Sequence, residues 1–342
     1  MDFNTSVENN ELANLARDIV AGRVASDPAA HIDEKLWHEL GRAGVLSAAL
    51  PESVGGSGLG LLEQCGVLVE LGRALAPAPY LASIVLGASA IATFGTPEQQ
   101  ERWAIPAGRG DIVLTAVLED CAPVPAAPWA DAVLVPLDGT VYIVDTGDDG
   151  VSVEPQELTD GVTAGRVVLD PGFAGEVRRD RDRRLGGGDV AAEWLRARGT
   201  VGLCAVQLGI TERALELTAE YATQRVQFGR PIGTFQAVSQ RLADGWIDVE
   251  AIRLTMWQAA WMLSEGIPPG QVDAALAIST AKFWAADAGH RVAHTAVHVH
   301  GGVGIDVSHP VHRYFAAAKT NEFTLGHATA QLRRIGAELA KS

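Results

Sequence analysis

The chain has 342 residues, 47% of them hydrophobic and 20% charged, so it can bury one large core or two to three packed units. Its formal net charge of -15 argues against a nucleic-acid surface, because neutralising phosphates requires a basic face. No apolar run reaches the roughly 18 residues that a membrane helix needs, and the first residues lack a signal-peptide pattern. We therefore expect a cytoplasmic protein that contacts neither nucleic acid nor a membrane.

Residues 1–110 form the first predicted unit, a helical domain. Apolar residues recur there at helical spacing, as the buried face of a helix requires. They include Leu12, Leu15, Ile19, Val20, Leu36, Leu40 and Val45. A glycine-rich loop at residues 55–60 precedes a further helical stretch, and glycine there permits positive φ or close backbone approach.

Residues 111–185 form a small β domain. Short β-prone runs lie at 112–117, 132–135, 141–144, 151–153 and 166–169, separated by turns rich in Gly, Asp and Pro. Residues 178–184 (RRDRDRR) and the triple glycine at 186–188 follow. Alternating charges of this kind favour a solvated linker, with a place near the phosphates of an anionic ligand as the alternative.

Residues 186–342 return to helical spacing. Apolar residues of one long amphipathic helix step by three or four positions. They are Val238, Leu242, Trp246, Val249, Ile252, Met256, Ala260 and Leu263. A further helix runs to about His298, and Phe323, Ala328, Leu332, Ile335 and Leu339 line a last one. Several helices of this length after a β domain indicate a C-terminal four-helix bundle, and the whole chain is predicted to be α+β, mostly α.

The turn RVQFGRPIGTFQ, residues 225–236, joins two of these helices. Gly229 and Pro231 break the first helix, and the following residues suit the start of the next. An arginine beside an aromatic ring at a helix junction can clamp a phosphate while the ring covers a flat ligand. The alternative is a structural turn in which Phe228 fills the core and Arg225 is solvated.

The turn resembles the Arg-x-x-Phe-Gly signature of the acyl-CoA dehydrogenase family. Three further stretches resemble family motifs in the same order. They are PESVGGSGLG at 51–60, FGTPEQQ at 94–100 and HVHGGVG at 298–304. The resemblance spans nearly the whole chain. It implies FAD as cofactor, a CoA thioester as substrate, and contact with a neighbouring subunit's FAD through Arg225, Phe228, Gln236, His298, Gly301 and Gly302.

The same resemblance shows where the catalytic base is missing. Family members remove the α-proton of an acyl-CoA with a carboxylate whose pKa is raised by burial, while the flavin takes a hydride from the β-carbon. The two family positions for this glutamate correspond here to Leu325 and, one long helix earlier, to about Gly199. Neither residue can accept a proton. The family's flavin-facing Thr-Glu-Pro strand end has only LEDCAP at 118–123, and its Trp-Ile-Thr-Asn segment is not recognisable.

This pattern resembles the smaller subunit of actinobacterial α2β2 acyl-CoA dehydrogenases that act on sterol and steroid CoA esters. It implies a partner subunit that carries the glutamate, a bulky steroid-like substrate, and FAD at the interface between unlike subunits. Two alternatives stay open. Glu193 could be a displaced base in a homo-oligomeric enzyme, with Glu250 and Glu322 as weaker choices. A flavin-free structural or acyl-CoA-binding assembly protein is the second.

Metal binding is not expected. His290, His294, His298 and His300 have i, i+4 spacing, but no nearby Cys or Glu completes a ligand set. Cys65, Cys121 and Cys204 are odd in number and widely spaced, which favours free thiols in a reducing compartment. The eight tryptophans, including Trp246, Trp257, Trp261 and Trp284, are assigned to the bundle core or to an interface.

Overall fold

The computed structural model describes residues 6–21, 32–119 and 122–341. Within these ranges a helical unit, a small β unit and a second helical unit follow one another, as the sequence predicts. Cys121 lies outside the described residues. The α-helices of the first unit are α1 (Val7–Val20), α2 (Glu34–Arg42), α3 (Leu61–Ala74), α4 (Ser89–Phe94), α5 (Pro97–Gln99) and α6 (Ile105–Arg109). Two π-helical stretches, Leu81–Ala88 and Gln100–Ala104, run directly into α4 and α6.

The β unit consists of two three-stranded sheets, ordered β1-β3-β4 and β2-β6-β5. Their strands are β1 (Leu114–Ala116), β2 (Val124–Pro125), β3 (Ala132–Leu137), β4 (Thr140–Asp145), β5 (Val151–Glu157) and β6 (Thr163–Leu169). β1 and β3 pair in parallel, and all other pairs in the two sheets are antiparallel. The β-prone runs of the sequence thus correspond to observed strands.

The arginine-rich run after β6 differs from the solvated linker that its composition predicts. Helix α7 (Pro171–Arg179) includes its first arginines. Arg178 Nε donates to Asp138 at 2.6 Å, and Arg183 Nη1 donates to Asp148 at 2.5 Å. Aspartates brought close by the fold therefore fasten this run to the β unit, which charge spacing within the run does not reveal.

The second helical unit contains α8 (Asp189–Gln224), α9 (Gln236–Ser264), α10 (Val272–His300), α11 (Pro310–Phe323) and α12 (Ala328–Leu339). Helices α8 to α11 form the bundle. Phe323 is the last residue of α11 and does not belong to α12, in contrast to the sequence interpretation. The break follows from Leu325 and Gly326, whose φ angles of 58° and 93° cannot continue a helix.

Helix α8 crosses α3 with the two backbones in contact. A Cβ on Gly209 of α8 would lie 2.0 Å from the Val69 carbonyl oxygen, and one on Gly72 of α3 would lie 2.4 Å from that of Val206. Only glycine fits at both positions. The crossing places the N-terminal half of α8 beside the Leu81–Ala88 stretch and the β unit. Within the described ranges, no helix combines the length and hydropathy that a membrane span requires.

Candidate functional site

The signature turn between α8 and α9 is a two-residue hairpin that extends from the bundle. Strands β7 (Val226–Gln227) and β8 (Arg230–Pro231) pair antiparallel. The Ile232 N–H closes the base of the hairpin by donating to the Arg225 carbonyl at 2.8 Å. Phe228 and Gly229 form the turn with φ angles of 52° and 79°. Positive φ at both central residues is the geometry of a type I′ hairpin.

Phe228 combines an exposed aromatic ring with a positive φ, and neither is favourable in the isolated chain. Its side chain is 93% exposed, so the ring does not fill the core as the structural alternative requires. Phenylalanine is rare at positive φ, where Asn and Gly are preferred. A strained backbone that presents a large apolar ring to solvent indicates a contact made with another molecule.

The Phe228 ring makes an edge-to-face contact with Phe235, at 6.1 Å between ring centroids. Arg225 ends α8 with its backbone N–H bonded to the Tyr221 carbonyl at 2.8 Å. It is exposed, and its guanidinium has no ion-pair or hydrogen-bond partner among the described residues. Gln236 is the exposed first residue of α9. Arg230, which the sequence interpretation did not single out, lies over the Phe235 ring at 4.2 Å.

The second family motif lies where α10 ends. Gly301 has a φ of 64°, and a Cβ on Gly301 or Gly302 would meet open space. His298, in the last turn of α10, is exposed. A short 3₁₀ helix, Gly301–Ile305, then leads to exposed Ile305 and Val307. This turn therefore presents free backbone and apolar side chains to solvent, as the hairpin does.

These two turns have the groups that an FAD diphosphate and its adjoining rings need. An unpaired arginine supplies charge-assisted hydrogen bonds, and an exposed aromatic ring supplies a flat apolar surface. Glycines without a side chain nearby let the backbone approach closely. Gln236 and His298 add polar side chains. The fit is that of a half-site, since every one of these groups is exposed to solvent.

The chain's own pocket has the opposite character. Leu325 and Gly199, which are predicted from the sequence to occupy the family's base positions, line one cavity of about 90 Å³. Leu81, Leu86, Leu118 and Leu203 contribute to its apolar wall. Sites for cofactors and drug-sized ligands typically measure about 300–1,000 Å³. This cavity is smaller than such sites.

Close packing explains the small volume. A Cβ at Gly199 would lie 2.5 Å from Leu118 Cδ1, and one at Gly202 would lie 2.4 Å from Leu81 Cδ1. The glycines of α8 thus leave room that leucines from the Leu81–Ala88 stretch and from the end of β1 occupy. A glutamate at position 199 would require Leu118 to move.

The backbone turn around Leu325 is held firmly although its side chain cannot accept a proton. Gln331 Nε2 donates to the Leu325 carbonyl at 2.9 Å, and Arg334 Nη1 donates to the same oxygen at 3.2 Å. Leu325 is 5% exposed. This turn presents an alkyl group to the cavity at the position where the resemblance predicts the family's base.

One carboxylate does line the cavity, and it is not the one that the sequence interpretation chose. Glu119, at the end of the degraded Thr-Glu-Pro motif, is among the lining residues. Glu193 is exposed, lies next to Gly270 and does not line the cavity. Glu119 could have been found from its place directly after the β1 run, where the family motif has its glutamate.

A buried lysine supports the end of α11 just before the Leu325 turn. Lys282 is 1% exposed, and its Nζ donates to the carbonyls of Asn321 at 3.0 Å and Glu322 at 3.2 Å. Burial lowers the pKa of Lys282 to about 8. Lysine near helix C-terminal carbonyls offsets the partial negative charge there.

Two histidines of α10, His290 and His294, contact each other, and His290 also contacts a charged pair on α11. His290 Nδ1 lies 3.0 Å from Glu322 Oε2 and 2.9 Å from Lys319 Nζ. His294 pairs its ring with that of His290 at 4.2 Å. Among the residues that the structure describes, no group of three or more His, Cys, Asp or Glu is arranged to hold a metal.

Helix α9 leaves part of its apolar stripe uncovered. Val249, Ile252 and Met256 are buried, whereas Trp246 is 62% exposed. Ile247 beside it is exposed as well. An open groove lies between α8 and α9 at this point. Exposed aromatic and branched apolar side chains in one place normally mark an interaction surface.

Two family models match the helical parts of the chain. The family model described as acyl-CoA dehydrogenase, N-terminal domain, matches residues 6–111, and the one for the C-terminal domain matches residues 187–340. The chain is 47% identical to acyl-CoA dehydrogenase FadE27 of Mycobacterium tuberculosis, and the match covers 100% of both chains.

Two solved structures are similar over almost the full length. One is the ChsE4-ChsE5 complex from Mycobacterium tuberculosis, with a TM-score of 0.92, 46% identity and 100% of each chain covered. The other is a variant of the Tcur3481-Tcur3483 steroid ACAD, with a TM-score of 0.86, 36% identity and 98% of each chain covered.

Proposed function

The chain belongs to the acyl-CoA dehydrogenase family, and we propose that it is the subunit of a hetero-oligomer that completes the partner's flavin site without having a base of its own. The observation that carries this proposal is the contrast between its two sites. Arg225 and Phe228 are exposed, and the Arg225 guanidinium has no ion-pair or hydrogen-bond partner among the described residues, whereas both predicted base positions face a small apolar cavity.

This chain's residues would hold FAD at an interface between unlike subunits. Arg225 would pair with the diphosphate, and Phe228 would cover an apolar face of the cofactor or its binding cleft. Gly301 and Gly302 would let their backbone approach, with Gln236 and His298 as polar contacts. When bound, FAD supplies the oxidising centre of the α,β-dehydrogenation.

The partner would supply the carboxylate that takes the α-proton. Near-neutral basicity needs a buried carboxylate beside the thioester, and neither Leu325 nor Gly199 can provide one. We further propose a bulky steroid-like acyl-CoA as substrate, because one similar structure is that of a steroid ACAD. Free buried thiols at Cys65 and Cys204 suit a reducing compartment such as the cytoplasm.

A second candidate function rests on Glu119. A carboxylate that lines the cavity beside Leu325 favours an enzyme that keeps a displaced base, as the family chemistry requires. Glu119 replaces Glu193 as the residue to test for that alternative. Anaerobic flavin bleaching by an acyl-CoA distinguishes the two. If Glu119→Gln stops bleaching in the co-expressed assembly, this chain has its own base.

The half-site proposal is tested with Arg225→Ala in the co-expressed assembly. A charge-assisted hydrogen bond is worth about 1.5–3 kcal/mol, so flavin occupancy at limiting FAD should fall roughly tenfold or more. Arg179→Ala is the matched control, because Arg179 is an exposed arginine of α7. Wild-type flavin content in the Arg225→Ala assembly contradicts the proposal, whereas loss in both variants indicates a general effect of charge.

A further inference from the structure

Three aromatic side chains join the two cofactor-facing turns. The rings of Tyr221 and His300 stack at 4.3 Å with an interplanar angle of 22°. The His300 ring also contacts the His309 ring, with 5.0 Å between the two centroids. His300 is 4% exposed, so this stack is an internal feature. His300 lies within the HVHGGVG motif at 298–304, whereas Tyr221 and His309 lie outside the four family motifs.

Each ring belongs to the base of one turn. The backbone carbonyl of Tyr221 accepts a hydrogen bond from the backbone N–H of Arg225. This bond fixes the residue at which the hairpin leaves α8. His300 directly precedes Gly301, where α10 ends at positive φ. The His309 N–H closes the following segment by donating to Asp306 at 2.9 Å, and its ring caps α11 by accepting from Val311.

The ring orientation of His300 is fixed as well. Its Nδ1 lies 2.8 Å from the Ala296 carbonyl, so Nδ1 carries the proton and donates, because a carbonyl only accepts. One hydrogen bond along α10 and one stacking face on α8 therefore hold the imidazole. Moving α8 relative to α10 would separate Arg225 from Gly301 and unstack this pair at the same time.

We propose that His300 is a positioning residue that sets the distance between the Arg225 hairpin and the Gly301–Gly302 turn through its stack on Tyr221. The inference rests on the proposed function, since it concerns the affinity of the shared flavin site. A diphosphate contacted from both turns is bound tightly only if the turns are pre-organised. Without the stack, ordering them costs part of the binding free energy.

The stack also gives the site a pH dependence. Burial lowers the pKa of His300, with the neighbouring His309 acting in the same direction and the hydrogen bond to Ala296 opposing. The titratable groups around the ring are Tyr221 from α8 and His309 from the segment before α11, with Asp306 close to His309. Because its pKa lies below the usual value of about 6.5, the ring is neutral at that pH and above it. Only below the lowered pKa does the buried ring take up a second proton, and burial and His309 oppose the resulting charge, so flavin affinity should fall as the pH drops through that lowered pKa.

The test measures FAD affinity by flavin fluorescence on the co-expressed assembly after its flavin has been removed. His300→Ala should weaken the Kd about tenfold at pH 7.5, the size that the loss of one aromatic pair allows. His300→Phe keeps the ring without the titrating group. It should stay within about threefold of wild type at pH 7.5 and show a flatter Kd between pH 7.5 and 5.5. His38→Phe on α2, an exposed histidine, is the matched control with the wild-type pH profile.

A double-mutant cycle separates positioning from general stabilisation. Tyr221→Leu combined with His300→Ala should bind FAD no more weakly than the worse single variant, because the two rings act as one unit. Additive losses overturn the inference, as do a wild-type Kd for His300→Ala or a wild-type pH profile for His300→Phe. If His300→Ala does not assemble, His300→Phe decides through its pH profile.

Arg225→Ala reports on the proposed function separately. If Arg225→Ala binds FAD as tightly as wild type, the proposed shared flavin site is wrong. If Arg225→Ala weakens binding and the His300 variants do not, only the role of His300 is wrong.

Discussion

Gly199 of α8 and Leu325 of the turn between α11 and α12 face the same small cavity. These two positions are predicted from the sequence to correspond to those of the catalytic glutamate in relatives, and the two lie in the wall of one pocket. Neither leucine nor glycine can accept a proton, so under that assignment both positions lack the base.

Leu325→Ala should leave turnover of the co-expressed assembly within a few-fold of wild type. The side chain has no proton to exchange, and the reaction is proposed to occur in the partner's pocket. Truncating a buried leucine typically costs about 2–5 kcal/mol of unfolding free energy, so the melting temperature should fall. Turnover per bound flavin is the quantity to measure. A loss of 100-fold or more, which is typical of removing a general base or acid, would contradict this assignment, and changing the partner's glutamate provides the positive control.

Phe228→Gly should have opposite effects on stability and on flavin binding. The Phe228 ring is exposed and the residue has a positive φ, so glycine relieves backbone strain. Glycine also increases the conformational entropy of the unfolded chain, which acts in the opposite direction. The unfolding free energy should be unchanged or rise by up to about 1 kcal/mol. The FAD affinity of the co-expressed assembly should fall by about tenfold or more if the ring is a buried anchor there.

Urea denaturation and flavin titration measure the two effects of Phe228→Gly. Gly229→Ala serves as the contrast, because its φ of 79° makes alanine unfavourable by about 1 kcal/mol. A Phe228→Gly variant that is both destabilised and fully able to bind FAD would show that the ring supports the fold of this chain.

The chain expressed alone should associate poorly or form inactive oligomers. Trp246 and Ile247 are exposed beside an open groove on α9, and apolar surface of this kind is usually covered in an obligate complex. Size-exclusion chromatography with light scattering, performed on singly expressed and co-expressed protein, measures the assembly. Trp246→Ser should reduce recovery of the complex, whereas Val162→Ser, at another exposed apolar position, should not. A stable, flavin-loaded and active homotetramer would favour the alternative of a self-sufficient enzyme.

Lys282 should make stability increase at alkaline pH. Burial lowers the pKa of Lys282 from the usual 10.5 to about 8 in the folded chain. Between these values the unfolded chain binds a proton that the folded chain does not, so the free energy of unfolding rises with pH, by at most about 1.4 kcal/mol per unit. Below pH 8 both states are charged and the contribution is constant.

Comparing wild type with Lys282→Met isolates this contribution, because other alkaline groups are common to both proteins. The difference in their unfolding free energies should grow in favour of wild type from pH 8 to 10, as followed by urea denaturation. A difference that stays flat or shrinks over this range would mean that Lys282 is not desolvated in the folded protein.

Much of the fold could be read from the sequence because it depends on short-range patterns. Helical spacing along α9, β-prone runs separated by turns, and the glycine and proline of the signature hairpin all act within a few residues. The prediction that Leu325 occupies a base position likewise rests on a register counted from the Gly301–Gly302 turn. That neither Leu325 nor Gly199 can accept a proton is a property of the sequence.

The tertiary structure decided what lies together. Glu119 rather than Glu193 lines the cavity, because the crossing of α8 over α3, set by Gly72 and Gly209, fixes which face of α8 meets the β unit. Likewise, Tyr221 and His300 form a stack only because α8 and α10 end side by side. Such contacts join residues far apart in the chain, so no local periodicity records them. They depend on how closely helices can approach, which a missing Cβ permits and only the packed chain reveals.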